Sequence, residues 1–303
     1  MSHPIKGVLP VVHMPYRRDL EIDHPVLAQE IDWLFATGAD GFCLALVSDL
    51  LRLTAEERMR LPSRLVEAAQ GRGPVVVSVG AESTIQAGIF ARAADEAGAA
   101  AIMAIPPISR ALSDEELQAY FEGILEYVRI PLIIQDASSY VGRAMTVEFQ
   151  ARMHQRHGDR ILFKPEATPL GPTISAMRAA MGPGATILEG SGGVLLIDSY
   201  RRGIDGTIPG VELLDAMVAL WDSLKRGDEA RAYALYLPVC ALVTLQLQGG
   251  LDGFIVIERY LMHKRGLFPS VVHRGPLSYA LDPQTQGEVD RLFDLLQDVL
   301  RRP

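Results

Sequence analysis

A lysine at the end of an apolar segment is the residue of this chain with the clearest capacity for chemistry. The sequence has four lysines, Lys6, Lys164, Lys225 and Lys264, and the rest of its 29 basic residues are arginine. Lys164 closes the apolar segment Arg160–Lys164. Because a lysine among apolar neighbours loses solvation of its charged form, its neutral amine becomes available to attack a carbonyl carbon and form an imine. The alternative is a lysine that extends from a strand end into solvent.

The other candidate polar residues each have a structural alternative. The N–H groups of Gly190, Gly192 and Gly193, within the segment Glu189–Gly193, could bind a carboxylate, although a tight turn explains these glycines equally well. No Walker or dinucleotide fingerprint surrounds them, so no nucleotide is predicted. Asp49 could face a substrate, and Asp136 could act as an acid or base. We favour a solvated loop charge for Asp49 and a turn-capping carboxylate for Asp136.

The cysteines and histidines do not form a recognisable metal-binding pattern. Cys43 and Cys240 lie far apart in apolar segments, which predicts buried thiols rather than a disulfide or a ligand cluster. His154 and His157 have the spacing of one helix face but no third ligand nearby in sequence. The seven histidines are therefore interpreted as surface residues, and no metal is predicted.

The composition limits the class of protein. The chain has 303 residues, 49% of them hydrophobic, and a formal net charge of -8. These values predict a globular protein with a large core and oppose binding to nucleic acid or an anionic membrane, which requires a dense cationic surface. The first residues lack the pattern of a signal peptide, and no segment reaches about 18 uninterrupted apolar residues. A cytoplasmic location is expected.

Strands and helices alternate along the sequence. Between short β-branched segments lie stretches with apolar residues at helical spacing. Thr54 with Glu57, and Ser113 with Glu116, have the spacing of capping boxes at helix starts. The predicted strands are Gly7–Val12, Gly41–Val47, Pro74–Gly80, Ala100–Ile105, Pro131–Gln135, Arg160–Lys164, Thr186–Gly190 and Gly203–Ile208.

Eight strand-and-helix units predict a parallel sheet that closes into a (β/α)8 barrel, with a doubly wound open sheet as the alternative. Against the open sheet, His13–Tyr16 follows the first strand in place of a glycine-rich phosphate fingerprint. The predicted division is a barrel over residues 1–227 and a C-terminal helical extension over 228–303. In a barrel, the carboxyl ends of the strands carry the active site, which places Lys164 there. The helices predicted after Gly210 are Val211–Arg226, Asp228–Gln248, Gly253–Arg265 and Pro283–Arg301.

Several segments of the chain have counterparts in a known superfamily. They are Gly7–Pro10 with Met14–Tyr16 at the first strand, Leu53–Arg58 at the second helix, Lys164–Ala167 around the lysine, and Gly206–Gly210 at the eighth strand. In their order and spacing the chain resembles, over essentially its whole length, the dihydrodipicolinate synthase and N-acetylneuraminate lyase superfamily of pyruvate-dependent class I aldolases and hydro-lyases. The resemblance implies a (β/α)8 barrel, an imine on Lys164, no cofactor, and a homodimer or homotetramer.

The same resemblance assigns the residues that bind the substrate. Where the family has a pair of threonines after the second strand, this chain reads Ala45–Asp49. The backbone N–H groups of Leu46 and Val47, together with Ser48, are therefore expected to hold the carboxylate of a keto acid. Ile208 is expected to line the floor of the pocket.

Other departures argue against the reaction for which the superfamily is named. Gln135 occupies the position of a proton-handling tyrosine, and an amide forms hydrogen bonds but cannot titrate. Tyr140 stands where an arginine would bind the carboxylate of a second substrate. Synthesis of dihydrodipicolinate is therefore not expected. The segment Gln135–Ala137 resembles instead a less characterised branch, some of whose members are thought to process sugar-derived 2-keto-3-deoxy acids.

The predicted function is a Schiff-base lyase, either an aldolase or a dehydratase, that acts on a small 2-keto acid. Lys164 would be the nucleophile, and Gln135 would orient the substrate or a water. Water, Asp136 or the substrate's own carboxylate could carry the proton. Neither nucleic acid nor a membrane is an expected partner. Two alternatives remain: a barrel that binds a keto or sugar acid without turnover, and a barrel enzyme that does not use the lysine.

Overall fold

The fold is described from a computed structural model over residues 4–138 and 144–302. Tyr140 lies outside these ranges. In the described residues the strands are β1 Gly7–Val8, β2 Phe42–Leu44, β3 Val75–Ser78, β4 Ala101–Ala104, β5 Leu132–Asp136, β6 Ile161–Pro165, β7 Leu188–Glu189 and β8 Gly206–Thr207. The helices are α1 His24–Thr37, α2 Ala55–Ala69, α3 Thr84–Glu96, α4 Asp114–Leu125, α5 Val147–His157, α6 Leu170–Met181, α7 Leu196–Arg201, α8 Leu214–Arg226, α9 Glu229–Leu247, α10 Gly250–Lys264 and α11 Pro283–Arg301.

The predicted elements are confirmed in order and type. All eight strands form, and six of them are shorter than predicted. The four helices expected after Gly210 also form, although the first begins at Leu214 because Val211–Leu213 makes a separate 3-10 turn. The hydroxyls of Thr54 and Ser113 cap α2 and α4 as their spacing predicts.

The chain folds into two compact units. The first contains Met1–Lys6, Leu53–Gly190 and Asp198–Thr207. The second contains Gly7–Arg52, Ser191–Ile197 and Ile208–Pro303. The division between barrel and helical extension at residues 227 and 228 stays a prediction.

The first unit is built on parallel strands that are buried along their whole length. β3, β4, β5 and β6 pair in sequence order, and β7 pairs with β8, all in parallel. A bridge between Phe163 and Ile187 links β6 to the segment that leads into β7. Because the strands run in one direction, their carboxyl ends lie along one edge of the sheet. Gln135 of β5 is the register partner of Lys164 of β6 at this edge.

The second unit joins the start of the chain to its C-terminal helices. Val11 forms parallel bridges with Cys43 and with Gly210, which connects the ends of β1 and β2 to the segment that follows β8. Helix α9 packs against α8, α10 and α11. This helix has the length and apolar composition that would suffice to cross a membrane, but its packing among three helices is equally that of a core helix.

The N-cap of α4 offers a test of the local stability of the fold. The hydroxyl of Ser113 accepts a hydrogen bond of 3.2 Å from the N–H of Glu116. We expect Ser113→Ala to lower the free energy of unfolding by about 1 kcal/mol in urea denaturation, because an N–H of the first turn loses its acceptor. Ser63→Ala is the control, since Ser63 is exposed within α2, where alanine is at least as good a helix former. Equal losses in the two variants would contradict the capping role.

Candidate active site

Lys164 is buried and ion-paired. Its Nζ atom lies 2.6 Å from Oε1 of Glu166, and the two side chains are 5% and 6% exposed. The alternative of a lysine that reaches solvent from the strand end is therefore wrong. The expected burial is confirmed, but the neighbours are not wholly apolar, because a carboxylate contacts the amine.

Glu166 was not predicted as a site residue, although a local signal for it exists. Side chains alternate along a strand, so residues two positions apart point to the same face. Lys164 is in β6, and Glu166 directly follows the strand, where its N–H donates to the carbonyl of Asp136 at 3.0 Å. This bond extends the alignment of the two segments by one residue past β6 and keeps the carboxylate beside the lysine.

Gln135 completes a chain of three polar side chains. Its Nε2 atom donates to Oε2 of Glu166 at 2.8 Å, so the two oxygens of this carboxylate contact the amide and the amine. Gln135 is 1% exposed, and its Oε1 atom has no hydrogen-bond partner in the described part of the chain. An unpaired buried acceptor is costly, and a hydroxyl or water bound beside Glu166 would satisfy it.

Gly190 packs against the same ion pair. A Cβ atom added at Gly190 would lie 2.6 Å from Oε1 of Glu166 and 2.8 Å from Cε of Lys164. Contacts this short would force the charged side chains to move. The glycine therefore permits the observed position of the pair, while its predicted role in carboxylate binding stays a prediction.

The carboxylates near the other strand ends are engaged in hydrogen bonds. Asp136 accepts the N–H groups of Ser138 at 3.2 Å and Met145 at 2.8 Å, as the turn-capping interpretation predicts. Glu189 of β7 is buried and accepts the hydroxyl of Thr207 at 2.7 Å. In Asp136, both oxygens are occupied by backbone donors, which disfavours a role as the proton carrier.

The residues predicted around the substrate at Leu46–Ser48 and at Ile208 belong to the second unit. Leu46–Ser48 forms a 3-10 turn after β2. The buried hydroxyl of Ser48 donates to the carbonyl of Val12 and accepts the N–H of Ala45 at 3.1 Å. Ile208 is buried, at 3% exposure. The substrate-binding roles of these residues stay predictions, and the Ser48 hydroxyl is already committed to backbone partners.

Asp49 is not a solvated loop charge, and that interpretation is wrong. Asp49 is 1% exposed and forms an ion pair of 2.7 Å with Arg259, which is itself fully buried. Arg259 also donates to the carbonyl of Met14 at 2.9 Å. Burial and this guanidinium lower the pKa of His273 to about 4, so His273 adds no positive charge at neutral pH.

His13 is likewise buried, which corrects its interpretation as a surface residue. Its backbone N–H donates to Glu30 at 2.7 Å, and its Nδ1 atom lies 3.2 Å from the carbonyl oxygen of Val47. Its Nε2 atom lies 3.2 Å from Oε2 of Glu258 and 3.7 Å from Oε2 of Glu212. These partners are far away in sequence, so no local pattern indicates them.

The carboxyl groups around His13 are held in an unfavourable environment for charge. Burial raises the pKa of Glu30 well above its usual range. Burial, with the neighbouring carboxyl of Glu212, does the same to the pKa of Glu258. The cause in both cases is the loss of solvation of the ionised form, which a like charge nearby makes worse.

The chain is similar to proteins of one family along nearly its whole length. L-2-keto-3-deoxyarabonate dehydratase of Azospirillum brasilense is 27% identical over 293 residues, which cover 94% of this chain and 92% of that protein. The probable 2-dehydro-3-deoxy-D-pentonate aldolase of Escherichia coli (strain K12) is 25% identical over 260 residues, 80% of this chain and 86% of that protein. The crystal structure of dihydrodipicolinate synthase from Rhodopseudomonas palustris matches with a TM-score of 0.85 and 26% identity, covering 96% of this chain and 97% of that chain.

The fold and the similarities define the class of protein, a (β/α)8-barrel lyase of class I. The chain belongs to the dihydrodipicolinate synthetase family, whose model it matches over residues 4–294. Members of this family are aldolases and dehydratases that react through a lysine Schiff base. The predicted fold class and enzyme class are thereby confirmed.

The packing of Gly190 against the ion pair can be tested by a single methyl group. We expect Gly190→Ala to lower the free energy of unfolding by about 1–3 kcal/mol, because overpacking displaces Lys164 or Glu166. Gly184→Ala is the control, since a Cβ atom at Gly184 would meet no atom within 4 Å. Urea denaturation of both variants measures the difference. A loss no larger in Gly190→Ala than in Gly184→Ala would show that the pair does not need this glycine.

Proposed function

We propose that the protein dehydrates a 2-keto-3-deoxy sugar acid through an imine between Lys164 and the keto carbon. The observation that carries the proposal is the buried contact of 2.6 Å between Lys164 Nζ and Glu166 Oε1, which joins a nucleophile to a base. The similarity to a 2-keto-3-deoxy sugar acid dehydratase over 94% of the chain supports the substrate class and the reaction.

Formation of the imine begins with a proton transfer within the ion pair. A carboxylate in contact with an ammonium group can accept its proton and leave a neutral amine, which is the form that attacks a carbonyl. Lys164 Nζ then bonds to C2 of the keto acid. The attacking nitrogen passes one proton to the former carbonyl oxygen and Glu166 returns the other, so that this oxygen leaves as water and a protonated imine forms. Burial of both side chains keeps bulk water from competing in these transfers.

The protonated imine makes the elimination possible because it accepts an electron pair. Loss of a proton from C3 gives an enamine, and the electron pair then expels the C4 hydroxyl, which leaves as water after it gains a proton. Hydrolysis of the resulting imine releases the product and restores the amine, so the net change is the loss of one water. Glu166 would move these protons, a role that Gln135 at the tyrosine position cannot fill.

Gln135 would act by position rather than by titration. Its amide donates to Glu166 and thereby orients the carboxylate toward Lys164. Its free Oε1 atom would accept a hydrogen bond from a substrate hydroxyl or from the departing water. This scheme uses side chains and substrate alone and calls for no cofactor.

The remaining assignments rest on the family resemblance. The backbone N–H groups of Leu46 and Val47 would hold the substrate carboxylate, with the N–H of Gly190 as a further donor. Ile208 would line the floor of the pocket. The homodimer or homotetramer and the cytoplasmic location stay predictions of the same kind.

Aldol cleavage is the second candidate, since one relative is named as a pentonate aldolase. The same protonated imine allows the bond between C3 and C4 to break if the C4 hydroxyl loses its proton. Cleavage would release an aldehyde and leave pyruvate on the lysine as an enamine. The products therefore separate the two reactions: dehydration gives one product lighter by a water molecule, and cleavage gives pyruvate.

The imine can be trapped directly. We expect wild-type protein incubated with pyruvate and sodium borohydride to gain a stable adduct, found by intact mass and mapped by peptide analysis to Lys164. Lys164→Arg keeps the positive charge but cannot form an imine, so it should give no adduct, with little change in melting temperature. Lys225→Arg is the matched control, because Lys225 lies on the surface beside Asp222, and it should be trapped like wild type.

Three results would count against this scheme in different ways. An adduct of equal yield in Lys164→Arg would remove Lys164 as the nucleophile. No adduct across a panel of keto acids would favour a barrel enzyme that does not use the lysine. An adduct with neither turnover of 2-keto-3-deoxy acids nor exchange of pyruvate methyl protons with deuterated water would favour a protein that only binds.

The proposed role of Glu166 in proton transfer predicts a loss of turnover rather than a loss of the adduct on Lys164. We expect Glu166→Gln to retain the fold and a slow adduct on Lys164, but to lower kcat roughly 100- to 10,000-fold, because the amide cannot carry a proton. Glu148→Gln is the control, since Glu148 is exposed at the start of α5. Steady-state kinetics on the accepted keto acid measure the change. A Glu166→Gln variant with wild-type kcat would assign the proton transfers to water or substrate.

A further inference from the structure

Three buried side chains of the second unit converge on one point. His13 lies after β1, Glu212 lies in the 3-10 turn Val211–Leu213, and Glu258 lies in α10. Each offers one ligand atom, and these atoms lie within 4.8 Å of one another. Nε2 of His13 is 3.2 Å from Oε2 of Glu258 and 3.7 Å from Oε2 of Glu212.

The converging atoms are the ones left without partners. Nε2 of His13 and the Oε2 atoms of Glu212 and Glu258 are buried and make no hydrogen bond within residues 4–138 and 144–302. Buried polar atoms in proteins are nearly always paired, so three orphans facing one another require an explanation. The lone pairs of two carboxyl oxygens and a ring nitrogen repel one another unless a proton or a cation lies between them.

The surrounding hydrogen bonds prepare the ring nitrogen to act as a ligand. Nδ1 of His13 lies 3.2 Å from the carbonyl oxygen of Val47, which can only accept a hydrogen bond, so Nδ1 carries the proton. Nε2 is then the ring atom that faces the carboxyl groups and is available to a metal ion. Gln246 donates to Oε1 of Glu212 at 2.8 Å and so leaves Oε2 for the cluster. A histidine whose second N–H is bound to a backbone carbonyl is the usual arrangement of a metal ligand.

The buried guanidinium of Arg259 is paired outside the cluster. Four buried acidic side chains lie together here, those of Glu30, Asp49, Glu212 and Glu258. The guanidinium of Arg259 is paired with Asp49 at 2.7 Å. Among the described residues, no lysine or arginine side chain forms an ion pair with either of the two carboxyl groups that face His13.

We infer that His13, Glu212 and Glu258 bind one divalent transition-metal ion, with Zn²⁺ as its probe. Zn²⁺ accepts histidine nitrogen and carboxylate oxygen at about 2.0–2.2 Å, and two such ligands on a tetrahedron lie about 3.4 Å apart. The two distances from His13 Nε2, 3.2 and 3.7 Å, lie on either side of that value. Three protein ligands leave a fourth position for a small ligand such as water.

A single proton would satisfy the cluster less completely than a metal ion. A proton on Glu258 could bridge its Oε2 to Nε2 of His13 across 3.2 Å. Oε2 of Glu212 would then remain buried and without a partner among the described residues. Gly210 packs closely against this oxygen, since a Cβ atom added at Gly210 would lie 2.2 Å from it. A metal ion provides one bond to each of the three atoms.

The metal would connect three segments that are distant in sequence. It would also fix the ring of His13, whose Nδ1 atom contacts the carbonyl of Val47 in the turn Leu46–Ser48. Helix α10, which carries Glu258, packs against the same turn. The site is therefore a positioning device for this turn, and its existence does not depend on the reaction proposed for Lys164.

Metal binding can be measured without any assay of activity. The purified full chain is analysed for metal content, treated with a chelator, desalted, and titrated with Zn²⁺ by calorimetry. Co²⁺ is added in parallel, because a tetrahedral Co²⁺ site with a nitrogen ligand has a visible absorption band. We expect one equivalent of Zn²⁺ per chain, a higher melting temperature in its presence, and the Co²⁺ band.

Two ligand variants and one matched control decide the outcome. His13→Gln and Glu258→Gln should each weaken Zn²⁺ binding by about 100-fold or more and abolish the Co²⁺ band, because each removes a ligand. Glu258→Gln keeps the shape of the side chain, so it tests the site even if His13→Gln fails to fold. His24→Gln, at an exposed position, should bind like wild type.

The proposal is overturned by either of two results. One is the absence of stoichiometric binding in the wild type. The other is binding that survives in Glu258→Gln, which would place the metal on surface groups. A Glu258→Gln variant that is more stable than the metal-free wild type, with no Zn²⁺ uptake by either protein, would assign the site to a proton. Borohydride trapping on Lys164 in the same preparations separates these results from a failure of the imine chemistry.

Discussion

The buried ion pair between Lys164 and Glu166 is the interaction on which the candidate active site depends. Two charges taken out of water cost several kcal/mol each, and their attraction offsets this cost only with close geometry and further hydrogen bonds. Both conditions hold, since Nζ and Oε1 are 2.6 Å apart and Gln135 donates to the second oxygen. In proteins, replacing a buried ion pair by apolar residues of similar volume is often neutral or stabilising. The buried charges are therefore weak evidence of a stabilising role, and they fit the proposed role of an amine in contact with its base.

The parallel sheet supplies the accuracy that this chemistry requires. Gln135 and Lys164 are register partners on adjacent buried strands, so the ladder of hydrogen bonds sets their separation. Glu166 is tied back to β5 through the carbonyl of Asp136, and Gly190 closes the other side of the pair. Groups held by strands keep their positions better than groups on loops. The carboxylate of Glu166 can thus contact the amide of Gln135 and the amine of Lys164 at the same time.

Features that depend on residues close together in the sequence could be predicted, whereas contacts between residues far apart in the sequence could not. Strands, helices, caps and the position of Lys164 depend on neighbouring residues, and they were predicted correctly. Glu166 carried a local signal as well, since it lies two residues beyond Lys164. The burial of Asp49 depends on Arg259, which is 210 residues away, and that of His13 depends on equally remote carboxylates. No periodicity or spacing in the sequence indicates such contacts, so the sequence predicts surface positions for Asp49 and His13.

The buried polar groups around Lys164 and around His13 differ in how their atoms are paired, and this difference indicates what each group can do. Around Lys164 one ammonium faces one carboxylate, and the third member, Gln135, is neutral. Such a group is satisfied whether its proton lies on nitrogen or oxygen, which is the property a proton carrier needs. Around His13 the carboxyl groups of Glu212 and Glu258 face Nε2, and the three facing atoms have no hydrogen-bond partner among the described residues. Such a group favours the cation proposed above, so its expected role is binding rather than proton transfer.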